Sequence, residues 1–246
     1  MDRIIYTAMT GASAAANRQS VLSNNLANVS TSGFRAELSS YRAVPLRGEG
    51  STTRVFALEA TAGHRNAPGP ALRTGRDLDA MPTGANWFAV QGLDGTEAYT
   101  RAGGFEISPT GVLQTSTGLP VLSDAGAPIE LPRDSVISLG FDGTISARTG
   151  NQPSTVVGRL KLATPTAEDP LRRSNDGLFR PTSGNPLPND ANARIMVGVL
   201  EGSNVNAVET MVGMIQTARQ FEVQMRLLQT AESNDRTSGK LLNLQG

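Results

Sequence analysis

Few residues of this chain have the types and the spacing that catalysis or metal binding would need. The single histidine, His64, stands in a segment rich in glycine and proline, where a lone histidine is usually solvated. Asp77 and Asp79 alternate, but a calcium loop needs more oxygen ligands at fixed spacing. Cysteine is absent, which excludes disulfides, thiolate metal sites and cysteine nucleophiles. The sequence therefore predicts no catalytic residue, no metal ligand and no cofactor.

Two glycine-rich stretches, residues 92–95 and 103–104, could suggest phosphate binding. A phosphate loop joins a strand to the N-terminus of a helix, because it uses the backbone N–H groups that point out of the helix start. Neither stretch precedes a predicted helix. We interpret both as turn glycines.

The charge balance argues against nucleic acid and anionic membranes as partners. The chain has 22 Lys and Arg against 22 Asp and Glu, and no basic block stands out. Binding to phosphate backbones or acidic lipids needs such a block. Residues 1–9 lack the features of a secretory signal, and no stretch approaches the roughly 20 apolar residues of a membrane span. We therefore expect no nucleic-acid partner, no direct membrane insertion and, for any export, a route without a cleaved signal peptide.

The elements that stand out are apolar helical patterns at both ends of the chain. Alternating steps of three and four residues are typical of coiled coils. At the N-terminus the pattern consists of Ile5, Ala8, Ala12, Ala15, Gln19, Leu22, Leu26 and Val29. At the C-terminus it consists of Ala207, Met211, Met214, Ala218, Phe221, Met225 and Leu228. Stripes rich in Ala and Met bury little area, so we expect this helix pair to need neighbouring subunits.

Between the two helices the pattern is β-like. Residues 35–82 show no persistent period and are predicted to form an extended connector. Residues 83–200 contain short strands separated by turn signals such as Asp142-Gly143, which predicts an all-β outer domain. The predicted fold class is α+β: long N- and C-terminal helices, residues 1–34 and 201–246, pair as an antiparallel coiled coil. The central all-β domain then stands on the extended connector.

Three stretches of this sequence resemble the signatures of the bacterial flagellar rod and hook family. The N-terminal stretch is Asn24-Asn25-Leu26-Ala27-Asn28, followed by Thr31, Gly33, Phe34 and Arg35. The middle stretch is Trp87-Phe88-Ala89-Val90, then Tyr99-Thr100-Arg101-Ala102-Gly103 with Phe105, Gly111 and Leu113. The C-terminal stretch is Leu200-Glu201-Gly202-Ser203-Asn204-Val205-Asn206, then Val208, Met211-Val212, Met214-Ile215, Arg219 and Phe221-Glu222. Within the family, the start of the chain is most similar to the proximal-rod type.

The resemblance implies a structural subunit of the flagellar basal-body rod, not an enzyme. Such a subunit is exported by the flagellar type III apparatus without a cleaved signal. In the periplasmic space it polymerises through its terminal helices into the drive shaft that transmits torque from rotor to hook. The implied partners are copies of itself, other proximal and distal rod proteins and, during secretion, the export apparatus.

The resemblance also implies which residues pack subunits together. These are Ile5, Ala12, Leu22, Asn24, Asn25, Leu26, Asn28, Gly33, Phe34, Asn204, Val205, Val208, Met211, Val212, Ile215 and Phe221. The three asparagines are expected to bridge helix ends through their amides, and Gly33 to supply the turn out of the inner tube. Two alternatives stay open: a distal-rod protein of the same family, or a secreted β-domain binding module dimerised by its helices. An enzyme of unfamiliar type has no candidate site.

Overall fold

The computed structural model of the protein describes residues 2–45, 55–133 and 135–243, with a helix at each end and strands between them. The helices are α1 (Asp2–Ala27) and α2 (Ala207–Asn243). The strands are β1 (Glu37–Pro45), β2 (Val55–His64), β3 (Ala71–Arg73), β4 (Ala80–Pro82), β5 (Trp87–Gln91), β6 (Glu97–Thr100), β7 (Phe105–Ile107), β8 (Leu113–Thr115), β9 (Ser135–Leu139), β10 (Thr144–Thr149), β11 (Thr155–Arg159), β12 (Leu162–Ala163), β13 (Leu171–Arg173), β14 (Phe179–Pro181), β15 (Ile195–Val197) and β16 (Val199–Glu201).

Side-chain amides define one end of each helix. After α1 ends at Ala27, the Asn28 side chain donates to the backbone oxygen of Asn24 at 2.9 Å. At the start of α2, Asn206 Oδ1 accepts the backbone N–H groups of Val208 and Glu209 at 3.1 and 3.2 Å. Such a cap satisfies donors that have no partner within the helix. The N-cap of α2 is therefore Asn206.

The chain forms two compact units. Unit 1 comprises Met1–Val29, Ala36–Arg65 and Val205–Gly246, and unit 2 comprises Ser30–Arg35 and Asn66–Asn204. Unit 1 thus contains both helices and the β1–β2 hairpin. Unit 2 contains strands β3 to β16.

Unit 2 is built from antiparallel sheets around two apolar clusters. The largest sheet has the strand order β12-β5-β6-β14-β13, and a second has the order β11-β10-β9. Successive side chains of a strand point to opposite faces, and β5 is buried on both. Phe88 and Val90 lie in one cluster with Phe105 and Leu113, whereas Trp87 lies in the other. Strand β5 therefore joins the two halves of the unit 2 core.

Over residues 35–45 and 55–82 the prediction of an extended connector is wrong, while residues 46–54 lie outside the described part of the chain. Strands β1 and β2 form a long antiparallel hairpin in unit 1, with a register shift between Ser40 and Tyr41, and β3 and β4 pair with strands from the end of the chain. The half-buried positions of β1 include polar residues such as Glu37 and Ser39, while Leu38 is exposed. In β1 the half-buried positions are not consistently the apolar ones, so the sequence lacks the alternation of apolar and polar residues that would predict a strand.

The prediction that the helices pair as a coiled coil is also wrong, although α1 and α2 lie against each other in unit 1. The buried side chains of α2 nearest its start are Thr210 and Thr217, not the predicted Met211 and Phe221. A Cβ atom built at Gly213 would lie 3.4 Å from Leu22, and one at Gly11 would lie 3.0 Å from Gln224. The helices therefore meet through small and polar residues rather than through apolar knobs in holes.

The small side chains of α1 explain which face of α2 is buried. The buried side chains of α1 are mostly alanines, so only small residues on α2 fit opposite them. The two buried threonines keep their hydroxyls bonded within α2: Thr210 donates to Asn206 O at 2.7 Å and Thr217 to Gly213 O at 2.8 Å. Burial of these hydroxyls therefore leaves no donor unsatisfied.

Candidate assembly surfaces and a buried charge cluster

Helix α2 exposes apolar side chains along one side of its first turns. Val208, Met211, Val212 and Ile215 are 70%, 50%, 48% and 55% exposed. Their spacing of i, i+3, i+4 and i+7 places them on one helix face. We call these four residues the α2 stripe. Contiguous exposed apolar surface of this kind is typical of a face that a partner covers.

A groove lies between α1 and α2 within unit 1. It has a volume of about 370 Å³ and is lined by Ala15, Ala16, Gln19, Thr217, Ala218, Phe221 and Glu222. The small side chains that let the helices approach also leave this concave, mainly apolar surface. Gln19 Oε1 is buried at the groove without a hydrogen-bond partner. Unit 1 therefore presents a raised apolar surface, the α2 stripe, and a concave one.

The predicted asparagines lie at the end of α1, where two of them bind the start of β1. Asn25 Nδ2 donates to Glu37 O at 2.9 Å, and Asn25 Oδ1 accepts from Glu37 N at 2.8 Å. Asn24 Nδ2 donates to Glu37 Oε2 at 3.0 Å, while Asn28 bonds back to Asn24. The Asn25 amide thus forms two hydrogen bonds with the backbone of Glu37, one donated and one accepted, as a residue of a neighbouring strand would.

The remaining predicted packing residues divide between the two units. In unit 1, Ala12 is buried, Ile5, Leu22, Leu26 and Val205 are half-buried, and Phe221 is exposed beside the groove. In unit 2, the structure brings Gly33, Phe34 and Asn204 together: Asn204 N donates to Phe34 O at 3.3 Å. Gly33 has a φ of +71°, and a Cβ atom there would lie 2.3 Å from Ala102 N. Only glycine fits at that position.

A buried charge cluster in unit 2, which the sequence analysis did not anticipate, joins the three signature stretches. Glu201 binds both Arg35 and Arg101, and all three side chains are at most 2% exposed. Arg35 NH2 lies 2.8 Å from Glu201 Oε1, and Arg101 Nε and NH2 each lie 2.6 Å from Glu201 Oε2. The Trp87 ring lies beside both guanidinium groups, with its centroid 5.9 and 5.7 Å from their central carbons. We call these four residues the Glu201 cluster.

Most polar groups of the Glu201 cluster have partners, although Arg35 Nε is buried without a hydrogen bond. Arg101 Nε donates to Glu201, and its NH1 and NH2 groups donate to the backbone oxygens of Gly84, Asn86 and Pro82; NH2 also lies 2.6 Å from Glu201 Oε2 as an ion-pair contact. Glu201 Oε1 also accepts Gly69 N at 3.0 Å. Burial lowers the pKa of the Arg35 guanidinium; Glu201 opposes that shift and Arg101 adds to it. The carbonyl groups around the arginines compensate for the surplus positive charge.

The sequence marks the individual residues of this cluster but not their pairing. Arg35, Arg101 and Glu201 each stand next to or near glycine within one of the three signature stretches, and their charges are complementary. Nothing in spacing alone pairs residues that are 100 positions apart, as Arg101 and Glu201 are. The pairing therefore became visible only in the folded chain.

Cofactor chemistry gains no support from the described part of the chain. Within residues 2–45, 55–133 and 135–243, no group of three or more His, Cys, Asp or Glu side chains could hold a metal ion. Over these same ranges, neither helix is long and apolar enough to cross a membrane.

Comparison with known proteins places the chain in a family. The family model described as "Flagella basal body rod protein" matches residues 5–35, and "Flagellar basal body rod FlgEFG protein C-terminal" matches residues 196–241. "Flagellar hook protein FlgE/F/G D1 domain" matches residues 83–147. The chain is 45% identical to the flagellar basal-body rod protein FlgF of Salmonella typhimurium, over 99% of this chain and 100% of the relative. It is 44% identical to FlgF of Escherichia coli, over the same shares of both chains.

The chain therefore belongs to the family of flagellar basal-body rod proteins. Within that family it is of the FlgF type, and it is a structural rod subunit of the flagellar basal body. FlgG of Agrobacterium fabrum, for comparison, is 30% identical over 94% of this chain and 95% of the relative. The distal-rod and binding-module alternatives are not favoured. Family membership also supports assembly with other flagellar rod proteins and a location in the basal body.

Proposed function

We propose that this chain polymerises within the proximal rod through the exposed apolar faces of its helices, above all the α2 stripe. The observation that carries the proposal is the orientation of α2, which turns Thr210 and Thr217 inward and leaves four large apolar side chains in water. Covering apolar surface is favourable by roughly 25 cal/mol per Å². A partner that covers the stripe therefore supplies the burial that the single chain lacks.

The proposed neighbours are copies of this chain and other proximal and distal rod proteins. A helical shaft grows through heterologous contacts, in which one surface meets a different surface on the next subunit. The α2 stripe and the groove between α1 and α2 are two such different surfaces. Of the predicted packing residues, Val208, Met211, Val212, Ile215 and Phe221 are proposed to act between subunits.

The proposed role is mechanical, without enzymatic activity: the subunit transmits torque from rotor to hook within the periplasmic part of the rod. Export is proposed to proceed through the flagellar type III apparatus without a cleaved signal peptide, with the export apparatus as a transient partner. Neither nucleic acid nor direct membrane insertion is part of the proposal. The balance of 22 basic and 22 acidic residues supports this view, because it provides no electrostatic surplus for anionic partners.

Deletion of the gene tests the role in the rod. Electron microscopy of purified basal bodies and a swimming assay are expected to show loss of the rod beyond its base and loss of swimming. Intact basal bodies with normal swimming would contradict the proposal.

Complementation of that deletion with two matched variants tests the surface. Val208→Asp and Val156→Asp change valines of equal exposure, 70% on α2 and 71% on β11 of unit 2. An acidic residue in the first turn of a helix is favourable, so Val208→Asp leaves the free chain folded. Val156→Asp costs at most about 1 kcal/mol. We expect Val208→Asp to abolish swimming and Val156→Asp to preserve it; equal swimming by both would contradict the proposed surface.

A further inference from the structure

The chain passes between its two units four times, after Val29, Arg35, Arg65 and Asn204. On the unit 2 side, the segments next to these crossings are residues 30–35, 66–70 and 201–204. These segments are far apart in sequence, and two of them carry a member of the Glu201 cluster. The contacts among these three segments all lie within unit 2.

Backbone and side-chain hydrogen bonds connect the three segments directly. Gly33 N donates to Glu201 O at 2.7 Å, and Gly202 N donates to Pro70 O at 2.8 Å. Arg35 NH1 and Asn204 Nδ2 both donate to Ala67 O, the latter at 2.7 Å. A Cβ atom at Gly69 would lie 1.9 Å from Gly202 O, so the backbones touch there.

Glu201 is the member that contacts every one of these segments. Its carboxylate accepts from Arg35 of the first segment and from Gly69 N of the second, and Glu201 itself belongs to the third. It also binds Arg101, whose bonds to three carbonyls fix it to the interior of unit 2. Each of the two carboxylate oxygens therefore has two nitrogen contacts, between 2.6 and 3.0 Å long.

We propose that the Glu201 cluster is a positioning site, which holds the unit 2 ends of all four chain crossings in one place. Glu201 and the two arginines fix the points from which the chain leaves for its helices and its hairpin. The proposal goes beyond the rod function, because it concerns the single chain before any assembly. A loss of the cluster then loosens these segments while the apolar clusters of unit 2 stay formed.

Glu201→Gln tests the proposal with nearly unchanged size, because the amide keeps one acceptor oxygen and loses the charge. Glu97→Gln is the matched control: Glu97 and Lys161 form another ion pair of unit 2, 2.7 Å long with both side chains 10% exposed. The measurement is amide hydrogen exchange of the full monomeric chain, resolved by residue. The reporting amides are those of Gly33, Gly69, Gly202 and Asn204, and the core amides of Leu113, Val121 and Ile129 are the reference.

Removing one partner of a buried ion pair is strongly unfavourable, so we expect exchange at the four reporting amides to rise on the order of 100-fold in Glu201→Gln. Core amides are expected to change less than about 3-fold, as are the reporting amides in Glu97→Gln. Fluorescence of Trp87, the single tryptophan of the chain, should shift in Glu201→Gln, since both guanidinium groups lie beside its ring. Unchanged reporting amides, or an equal rise at every amide, would overturn the proposal.

Arg35→Met keeps the test decisive if Glu201→Gln fails to fold. This variant leaves Arg101 and Glu201 as a one-to-one pair and removes the surplus cation. We expect the chain to fold and exchange to rise at Gly33 and Asn204, because the segment around Arg35 loses its bonds to Glu201 and Ala67. Full protection of both amides in this variant would also overturn the proposal. Because each measurement uses monomer, failure of rod assembly would not affect its outcome.

Discussion

Unit 2 buries its large apolar side chains in two clusters and exposes others singly, whereas unit 1 leaves a run of them exposed along α2. In unit 2, residues such as Phe88, Phe105 and Ile145 are fully buried. In unit 1, alanines, threonines and glycines fill the contact between the helices, and Ile215 and Met211 face water. The contrast teaches that unit 2 forms an apolar core within one chain. In unit 1 the apolar face of α2 stays exposed, and we propose that other chains cover it.

The largest effect should come from truncation of the unit 2 core. Phe88→Ala removes a ring that packs edge-on against Phe105, with centroids 5.0 Å apart. We expect a loss of about 3–5 kcal/mol in the free energy of unfolding, because a cavity replaces the ring. Urea denaturation followed by Trp87 fluorescence measures it. Phe221→Ala on α2 is the matched variant and should cost under about 1 kcal/mol in the monomer; equal costs would abolish the contrast between the units.

An intermediate effect is expected where the helices meet. Thr217→Leu adds volume to a position that is 2% exposed, so we expect a loss of roughly 1–3 kcal/mol through overpacking. Ala218→Leu, one residue along on the exposed side, should be neutral. Thermal unfolding followed by circular dichroism compares the two. A larger loss of stability in Ala218→Leu than in Thr217→Leu would show that the predicted apolar stripe of α2 faces α1.

A smaller effect should follow from loss of the amide that connects α1 to β1. Asn25→Ala removes both hydrogen bonds between the Asn25 amide and the backbone of Glu37 and should cost about 1–2 kcal/mol. Asn17→Ala, on the exposed side of the same helix, should change stability by less than about 0.5 kcal/mol. Thermal unfolding of both variants provides the comparison. A cost for Asn17→Ala equal to that of Asn25→Ala would show that α1 needs its exposed polar residues as much as this amide.

The sequence predicted the positions of helices and turns better than it predicted which face of a helix is buried. Steps of three and four residues predicted a first helix, which the structure places at Asp2–Ala27. The turn at Asp142-Gly143 predicted the pairing of β9 with β10, which the register confirms. The buried face of α2 was not predicted. The sequence pattern assigned the large apolar residues to this face, whereas the buried alanines of α1 pack against small residues. The Glu201 cluster was missed because its partners are distant in sequence.

The packing residues, and the bounds of the terminal helical domain and the β-rich outer domain, stay predictions. A single chain shows which side chains are exposed, such as Val208 and Ile215. It does not contain the neighbours that would cover them. The buried positions follow from the fold, and the proposed contacts between subunits follow from what the fold leaves exposed.

Reactivity of a cysteine introduced into the α2 stripe tests the central claim most directly. The chain has no cysteine, so Met211→Cys and the control Val156→Cys each carry a single thiol. We expect both to react rapidly with a maleimide in the monomer. In purified basal bodies, the account predicts that Met211→Cys is protected because another subunit covers the stripe. Equally rapid reaction of Met211→Cys in the monomer and in basal bodies would contradict the account.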